Sequence, residues 1–547
     1  MQQPILRHVI HFTLLALGLA LAYGPVLIAA QTVNTDAHVI LGNLSSNHNL
    51  AEYLSHLLSY QAVDMQPVRD LSLYFDLWAF RSYGLQTGIL QNLCYWLITC
   101  WTFTKVAELV FSKLAEKIVM KLTGLLALYP LFGSALAWGM ARKHILATMF
   151  IMLATWQFLL CLQQAPHRRR HAIFFTLAYW CSILAQPITL LWPIWAAAYA
   201  WLRGHRGKFY WTLSGLWPAF VVIGALNFQY YQHSAVYQQF YNLKLHGEIN
   251  LSDMVLALGH YSYQLILPYW PTTSYNLGDE SVLIGMGLLC VLGVTIWRTR
   301  QWKPLLPWLG FALFPLIMVL RTPQSLFDTY LLVPGIALWL GIAALCESHP
   351  RQSQQGLRWA FIPLLLIWGS VNYIDARLWL NPITFLNERN FVRRPSCESA
   401  MNLAIKSLTT TGSLPNNTKD FLENHDCTKP DMSVPKQAVG YIVFQSHLIY
   451  AAPTLTSEQK AQQLERLGQY QFYPQILQAL VYYESNKPLL AQGLMKVLAD
   501  ESHLIKWEPY RDYLIATKLR PYCEREQDIN CLRVTEHFMA DKPAPYL

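Results

Sequence analysis

Charge is scarce in this 547-residue chain: Asp, Glu, Lys and Arg make up 13% of it, against 54% hydrophobic residues. It has no GxGxxG or Walker A loop, so nothing in it reads as a soluble nucleotide cradle. It has no GxSxG and no HExxH, so hydrolase chemistry of those kinds has no support. Paired CxxC motifs and His at ligand spacing are also missing, which argues against a zinc centre. No internal repeat of clear period is present, although the paired helices expected in the last third fit degenerate solenoid units.

What is present is apolar and aromatic. The mean hydropathy is +0.23, and several runs approach the ~20 residues a helix needs to cross a bilayer. Twenty Trp and thirty Tyr suit interfacial belts. The formal charge of +9 sits largely in short loops between apolar runs, as at 167–171 and 203–208. That is the positive-inside pattern, and it points to orientation in a membrane rather than to nucleic acid. Arg7 and His8 form a weak basic leader, but other spans follow, so the first segment reads as a retained helix.

The spans are expected near 9–30, 86–112, 122–140, 145–163, 172–186, 188–202, 209–228, 281–297, 304–320, 328–346 and 357–374. With the N-terminus inside, alternation puts 113–121, 164–171, 203–208, 298–303 and 347–356 in the cytoplasm, and each carries Lys or Arg. The stretch 252–270 reads as interfacial or re-entrant on the outer side, because Pro and aromatics crowd its tail. The expected fold is all-α: a bundle of about eleven membrane helices, N-in and C-out, occupying 1–375, with a first outer loop at 31–85. A mainly helical soluble domain occupies 376–547. Within it, 457–484 and 489–505 have amphipathic spacing, with Leu464, Leu467, Tyr470, Ile476, Leu480 and Tyr483 on the apolar face.

Cys94, Cys100, Cys161, Cys181, Cys290 and Cys346 fall in or beside apolar runs and read as packing residues. Cys397, Cys427, Cys523 and Cys531 lie in the tail, where an exported domain could form two disulfides in any of three pairings. The short Cys523–Cys531 loop favours that pair, leaving Cys397 with Cys427 by elimination.

The stretch around which the rest is organised runs from Tyr23 to Phe80. There Asp36, followed by Val39-Ile-Leu-Gly-Asn43, resembles the first-loop acidic motif of the GT-C membrane glycosyltransferases. The transmembrane O-mannosyltransferases with TPR tails, and their bacterial counterparts, are the relatives it most resembles. Gln66 to Arg69 through Phe75-Asp76, with Gly84, Leu90 and Asn92, is similar to that family's next stretch. Leu125 to Pro130, Ala137-Trp138, Arg142-Lys143 and Leu146 resemble its "LHP…AW…RK…L" block. Gln186-Pro187 stands where the family often has Lys-Pro, and Phe327 to Pro334 resembles its "DRYLYLP" block. Arg377-Leu-Trp379 is similar to its entry into the repeats. The ordered matches cover roughly residues 20–380. The departures are a single acid where the family has a pair, Thr329 for the Arg of "DRY", and a tail without readable TPRs.

The resemblance implies a sugar on a polyprenyl phosphate as donor and a protein or surface glycan as acceptor. The active site and tail would then lie on the periplasmic face of a bacterial inner membrane, with membrane lipids as surroundings. Asp36 is the candidate base for an acceptor hydroxyl; a solvated loop acid or helix N-cap fits it too. Arg142 and Lys143 break the charge rule on the outer side and are candidate phosphate ligands, with snorkelling to headgroups the bland reading. Arg69 and Arg321 share both readings. His38, Gln186, His260 and Asp328 are candidate positioning residues; an interfacial His, a polar contact at the Pro187 kink and a helix cap are the plainer roles. No cofactor is specified, and the resemblance leaves a divalent cation open. A polymerase or ligase should carry an Arg-rich outer loop, and 229–251 has only Lys244. A transporter should show mid-membrane acids or repeats. A non-catalytic scaffold with an interaction domain predicts only that Asp36 tolerates replacement.

Overall fold

The computed structural model describes residues 2–28, 66–83, 87–163, 168–205, 251–268, 280–298, 302–320, 328–381, 415–424, 452–468, 472–501 and 519–540, with scattered positions between. Every regular element among these is helical. The chain divides into two units, Met1–Leu380 and Asn381–Ala544, a few residues beyond the boundary expected at 375.

In the first unit α1 (Gln2–Ala22) runs into a short turn of helix, Gly24–Ile28. Then come α2 (Pro67–Tyr83), α3 (Gly88–Val110) and α4 (Glu116–Ala127). A 3-10 turn at Pro130–Phe132 leads to α5 (Gly133–Ala137), followed by α6 (Arg142–Leu162) and α7 (Arg168–Ala185). After a turn at Pro187–Thr189 follow α8 (Trp192–Leu202), α9 (Leu251–Ile266), α10 (Glu280–Arg298) and α11 (Trp302–Leu320). A turn at Asp328–Leu331 opens α12 (Leu332–Ser348), and α13 (Pro350–Leu378) closes the unit.

Among the described residues three helical stretches are long and apolar enough to cross a bilayer: Arg142–Leu162, Thr329–Ser348 and Pro350–Leu378. The pair Glu116–Ala127 and Pro130–Ala137, bent by 41°, would make a fourth as one broken span. This is fewer than the expected count. Helices do form at most of the expected places, but several are short or polar. α3 carries Lys105 and Glu108, α7 opens on three arginines, and α8 has 11 residues. The expected span at 209–228 lies largely outside the described residues.

Burial separates the inner from the outer helices. The apolar windows of Arg142–Leu162 and Thr329–Ser348 are 72% and 78% buried, whereas that of Pro350–Leu378 is 6% buried. α13 therefore turns Trp359, Ile362 and Leu366 outward, as a helix facing lipid would.

The bend after α4 follows from Pro130, which has no N–H to continue the helix. The carbonyls freed at the helix end are taken up by side chains. Trp96 Nε1 donates to the Ala127 carbonyl at 3.2 Å and Asn372 Nδ2 to the Leu128 carbonyl at 2.8 Å. In an apolar surrounding those acceptors would otherwise be costly.

The stretch expected to be interfacial at 252–270 is α9, and it packs closely on α10. Its 16 residues cover about 24 Å, less than the ~30 Å of a hydrocarbon core. The crossing is set by glycine: a Cβ on Gly285 would lie 1.8 Å from the Gly259 carbonyl oxygen. Small residues let helix backbones approach in this way.

The second unit holds α14 (Asn416–Asn424), α15 (Ser457–Gly468), α16 (Phe472–Glu484), α17 (Pro488–Glu501), α18 (Arg520–Arg525) and α19 (Ile529–Ala540). Thr456 and Gln459 form a capping box at the start of α15: Gln459 Oε1 accepts from the Thr456 N–H at 3.0 Å, and Thr456 Oγ1 from the Gln459 N–H at 3.3 Å. α16 ends on Asn486 at φ 54°, with the Lys487 N–H bonded to the Tyr482 carbonyl at 2.9 Å, a Schellman-type stop. Asp528 caps α19, accepting from the N–H groups of Asn530 and Cys531 at 3.0 and 3.1 Å. The core of this unit includes Leu464, Ile476, Leu480, Tyr483, Met495 and Leu498. The periodicity expected from 489 onward begins later: Leu489 and Leu490 are exposed and the buried face starts at Ala491. Cys523 and Cys531 are disulfide-bonded. Cys397 and Cys427 lie outside the described residues.

Candidate functional site

α2 is amphipathic in reverse. Arg69, Ser72 and Asp76, at i, i+3 and i+7, share one helical face, and all three are buried. Leu71, Phe75 and Trp78 are exposed. A helix that hides its charges and shows its aromatics suits an apolar surrounding and a polar interior. The buried charges must then be satisfied inside the protein.

Arg142, the first residue of α6, is fully buried and does this for Asp76. Its Nη1 donates to Asp76 Oδ2 and to the Ser72 carbonyl at 3.3 Å. Its Nε reaches Asn92 Oδ1 at 3.0 Å and its Nη2 the Gly88 carbonyl at 2.6 Å. The other carboxylate oxygen of Asp76 accepts from Thr87 Oγ1 and Gln91 Nε2, each at 2.5 Å. Asn92 Nδ2 in turn donates to the Trp138 carbonyl at 3.2 Å. One guanidinium thus ties α2, the start of α3 and the start of α6 together.

A second network lies on the same face of α2. Arg69 donates to Asp70 Oδ1 through Nε at 2.6 Å and pairs with it through Nη2 at 2.5 Å. Arg69 Nη1 donates to Gln66 Oε1 at 2.9 Å, and Gln66 Nε2 donates to Gln186 Oε1 at 2.9 Å. Gln186 is extended (φ −160°, ψ 121°) between α7 and the Pro187–Thr189 turn, the conformation a following proline favours. Lys143 is half-buried, and next to it the fully buried His144 lies within electrostatic reach of Lys143 and Arg69. The His144 ring meets Tyr330 edge-on at 5.0 Å, which brings the Asp328–Leu331 turn to the start of α6. Five stretches far apart in sequence therefore meet: 66–76, 87–92, 138–144, 186 and 330.

Arg142 was expected at a donor phosphate. Its N–H groups are instead largely spent on the protein's own acceptors, so its place here is that of an internal brace. Arg69 is likewise buried against Asp70 and Gln66. Lys143 is the most accessible of the three cations. His260 is buried in α9 with Ser262 and Gln264, and α9 touches the Asp328–Leu331 turn. Asp36, His38 and Arg321 lie outside the described residues, and for Asp328 only the backbone turn is described.

The sequence reading quoted Gln66, Asp76 and Asn92 only as part of the resemblance and gave no site role to them or to Asp70 and His144. All five complete the networks. Asp76 had a signal: it repeats the face of Arg69 seven residues on. A second buried group sits on α13, where Asn372 and Asp375 are almost fully enclosed. A Cβ on Gly133 would lie 2.8 Å from Asn372 Oδ1 and 3.6 Å from both Asp375 Oδ2 and the Tyr23 hydroxyl. The signal there was an acid at the end of an apolar run. Among the described residues no group of three His, Cys, Asp or Glu is placed to hold a metal ion.

Comparison with known proteins found no matching family model, no matching curated protein and no matching solved structure.

Proposed function

We propose that this chain is a polytopic membrane glycosyltransferase, moving a sugar from a polyprenyl phosphate donor to a protein or surface glycan. One observation carries the proposal: among the described residues, several of the short blocks that resemble the GT-C family converge in space. Asp76, Arg142, Asn92 and Trp138 are joined by hydrogen bonds, Arg69 reaches Gln186 through Gln66, and Tyr330 meets His144, two residues on from Arg142. A chance series of matches has no reason to assemble.

In this reading about eleven helices span a bacterial inner membrane, with the N-terminus in the cytoplasm and the tail in the periplasm. Asp36 takes the proton of the acceptor hydroxyl. Lys143 and Arg321 meet the donor phosphate, since a phosphate leaving with the sugar's bonding pair needs positive charge beside it. Arg142 is a positioning residue that ties α2 to the start of α6, and Arg69 one that ties α2 to Gln186 through Gln66. His38, Gln186, His260 and Asp328 orient donor or acceptor, and the tail recognises the acceptor.

A second reading, a membrane scaffold with a periplasmic interaction domain, draws on the saturation of Arg142, because a fully bonded guanidinium also serves structure alone. Intact masses of surface proteins and glycolipids separate the two. Cells carrying the wild-type gene, a deletion, Asp36→Asn and Lys143→Ala are compared. The transferase predicts that deletion and Asp36→Asn remove the same sugar-sized mass from one species, with Lys143→Ala reducing it. If no mass changes while the variants are made at wild-type level, the scaffold stands instead.

A further inference from the structure

A cleft of about 260 Å³ opens between α4 and α13, lined by Lys117, Ile118, Lys121, Gln354, Leu357 and Arg358. Three of the six are cations and none is an acid. Among the described residues none of the three cations is in an ion pair. The neighbouring acid, Glu116, faces His8 on α1 at 3.7 Å. Lys121 is held in place: its Nζ donates to the Leu357 carbonyl at 3.4 Å and lies 5.5 Å from the centre of the Phe361 ring. Below it the two helices close together, since a Cβ on Gly124 would lie 3.3 Å from Phe361. The cleft therefore has a floor, a preset ammonium and two further cations at its rim.

Such a cleft suits a phosphate-bearing anion. Its volume is just below the usual range of small-molecule cavities, enough for a headgroup but not a whole lipid. The surrounding surface distinguishes a lipid phosphate from a free one. Immediately below Arg358, α13 exposes Trp359, Ile362 and Leu366, and its apolar window is only 6% buried. A headgroup in the cleft leaves its acyl chains against that stripe. The stretches 113–121 and 347–356, which hold Lys117, Ile118, Lys121 and Gln354 of the lining, are those that charge alternation is expected to place in the cytoplasm, where anionic headgroups seat in basic pockets between membrane helices.

We propose that the cleft between α4 and α13 binds the phosphodiester headgroup of an anionic phospholipid, through Lys117, Lys121 and Arg358. This rests on the membrane reading and not on the transferase chemistry.

The test uses the full chain in a neutral detergent and follows thermal unfolding with phosphatidylglycerol, phosphatidylcholine or inorganic phosphate added. Phosphatidylglycerol should raise the wild-type midpoint by about 5 °C, and phosphatidylcholine and inorganic phosphate should not. The double variant Lys117→Gln/Arg358→Gln removes two exposed, unbonded charges. Its lipid-free midpoint should match wild type, and its shift with phosphatidylglycerol should fall by at least half. Arg358→Lys, which keeps the charge, should retain most of the shift and so separates loss of binding from loss of fold. An equal shift with phosphatidylcholine, or an undiminished shift in the double variant, overturns the proposal. An equal shift with inorganic phosphate assigns the cleft to a soluble anion and overturns the lipid.

Discussion

Arg142 and Asp76, 66 residues apart, form an ion pair from which water is excluded on both sides, with side-chain exposures of 0% and 2%. A buried pair is tolerable only when the remaining donors and acceptors are also met. Here Asn92, the Gly88 carbonyl, Thr87 and Gln91 meet them. Removing one partner leaves the other charge buried and unmet, so Asp76→Asn and Arg142→Gln should each destabilise the protein by roughly 3–5 kcal/mol. Asp76→Leu/Arg142→Met should recover only part of that loss, because Thr87, Gln91, Asn92 and the Gly88 carbonyl lose their partners. Thermal unfolding in detergent reads this directly. Single variants that melt with wild type would remove the brace from the account.

The glycine crossing of α9 and α10 makes a paired test. Gly285→Ala places a methyl group 1.8 Å from the Gly259 carbonyl oxygen, so the helices must part; the cost should be about 1–3 kcal/mol. Gly287, on the same helix, has nothing within 4 Å of its Cβ position. Gly287→Ala should be neutral or stabilising by up to about 1 kcal/mol through helix propensity. Equal melting of the two variants would mean that α9 and α10 do not cross here.

The Cys523–Cys531 disulfide closes a loop of sequence separation 8. Chain entropy values such a loop at about 2.5 kcal/mol. Cys523→Ser/Cys531→Ser should lower tail stability by that order, followed by denaturant unfolding of the purified chain. Peptide mapping after alkylation should label both thiols only in reduced samples. Labelling without reduction would place the tail in a reducing compartment.

Tyr483 and Asp528 link tail stability to pH. The Tyr483 hydroxyl donates to Asp528 Oδ2 at 2.6 Å. Burial first, and then Asp528, push the phenol above its ordinary range. Above about pH 10 the unfolded phenol loses its proton while the folded one keeps it, so stability falls as pH rises. Tyr450, raised by burial and by its bond to Glu484, adds to the same slope. Unfolding followed from pH 8 to 11 should show the decline, and Tyr483→Phe should flatten part of it. An unchanged slope in that variant would assign the effect elsewhere.

Much of the helical framework was legible because its signals are local. Apolar runs marked α1, α6, α12 and α13, while the bend after α4 falls inside the single span expected at 122–140. In the tail, spacing placed Leu464, Ile476, Leu480 and Tyr483 on one face, and all four are buried. The Cys523–Cys531 pairing followed from a short loop. The candidate site was legible only as a set of names: Arg69, Arg142, Lys143 and Gln186 stood out as charged or polar residues in apolar company, but nothing in their spacing said what each would touch.

By itself, then, the sequence determined an all-helical chain with membrane-grade segments and a polar tail, since helix formation and burial preference act over a few residues. Only the tertiary structure decided that α2 is turned with its charges inward, that Arg142 is held by Asp76, and that Gln66 reaches Gln186 across 120 residues. It also decided that Lys117, Lys121 and Arg358 share one cleft. The physical reason is the same in each case. A buried charge must find its partner wherever the packed helices bring one within about 3 Å, and that partner can lie at any distance along the chain.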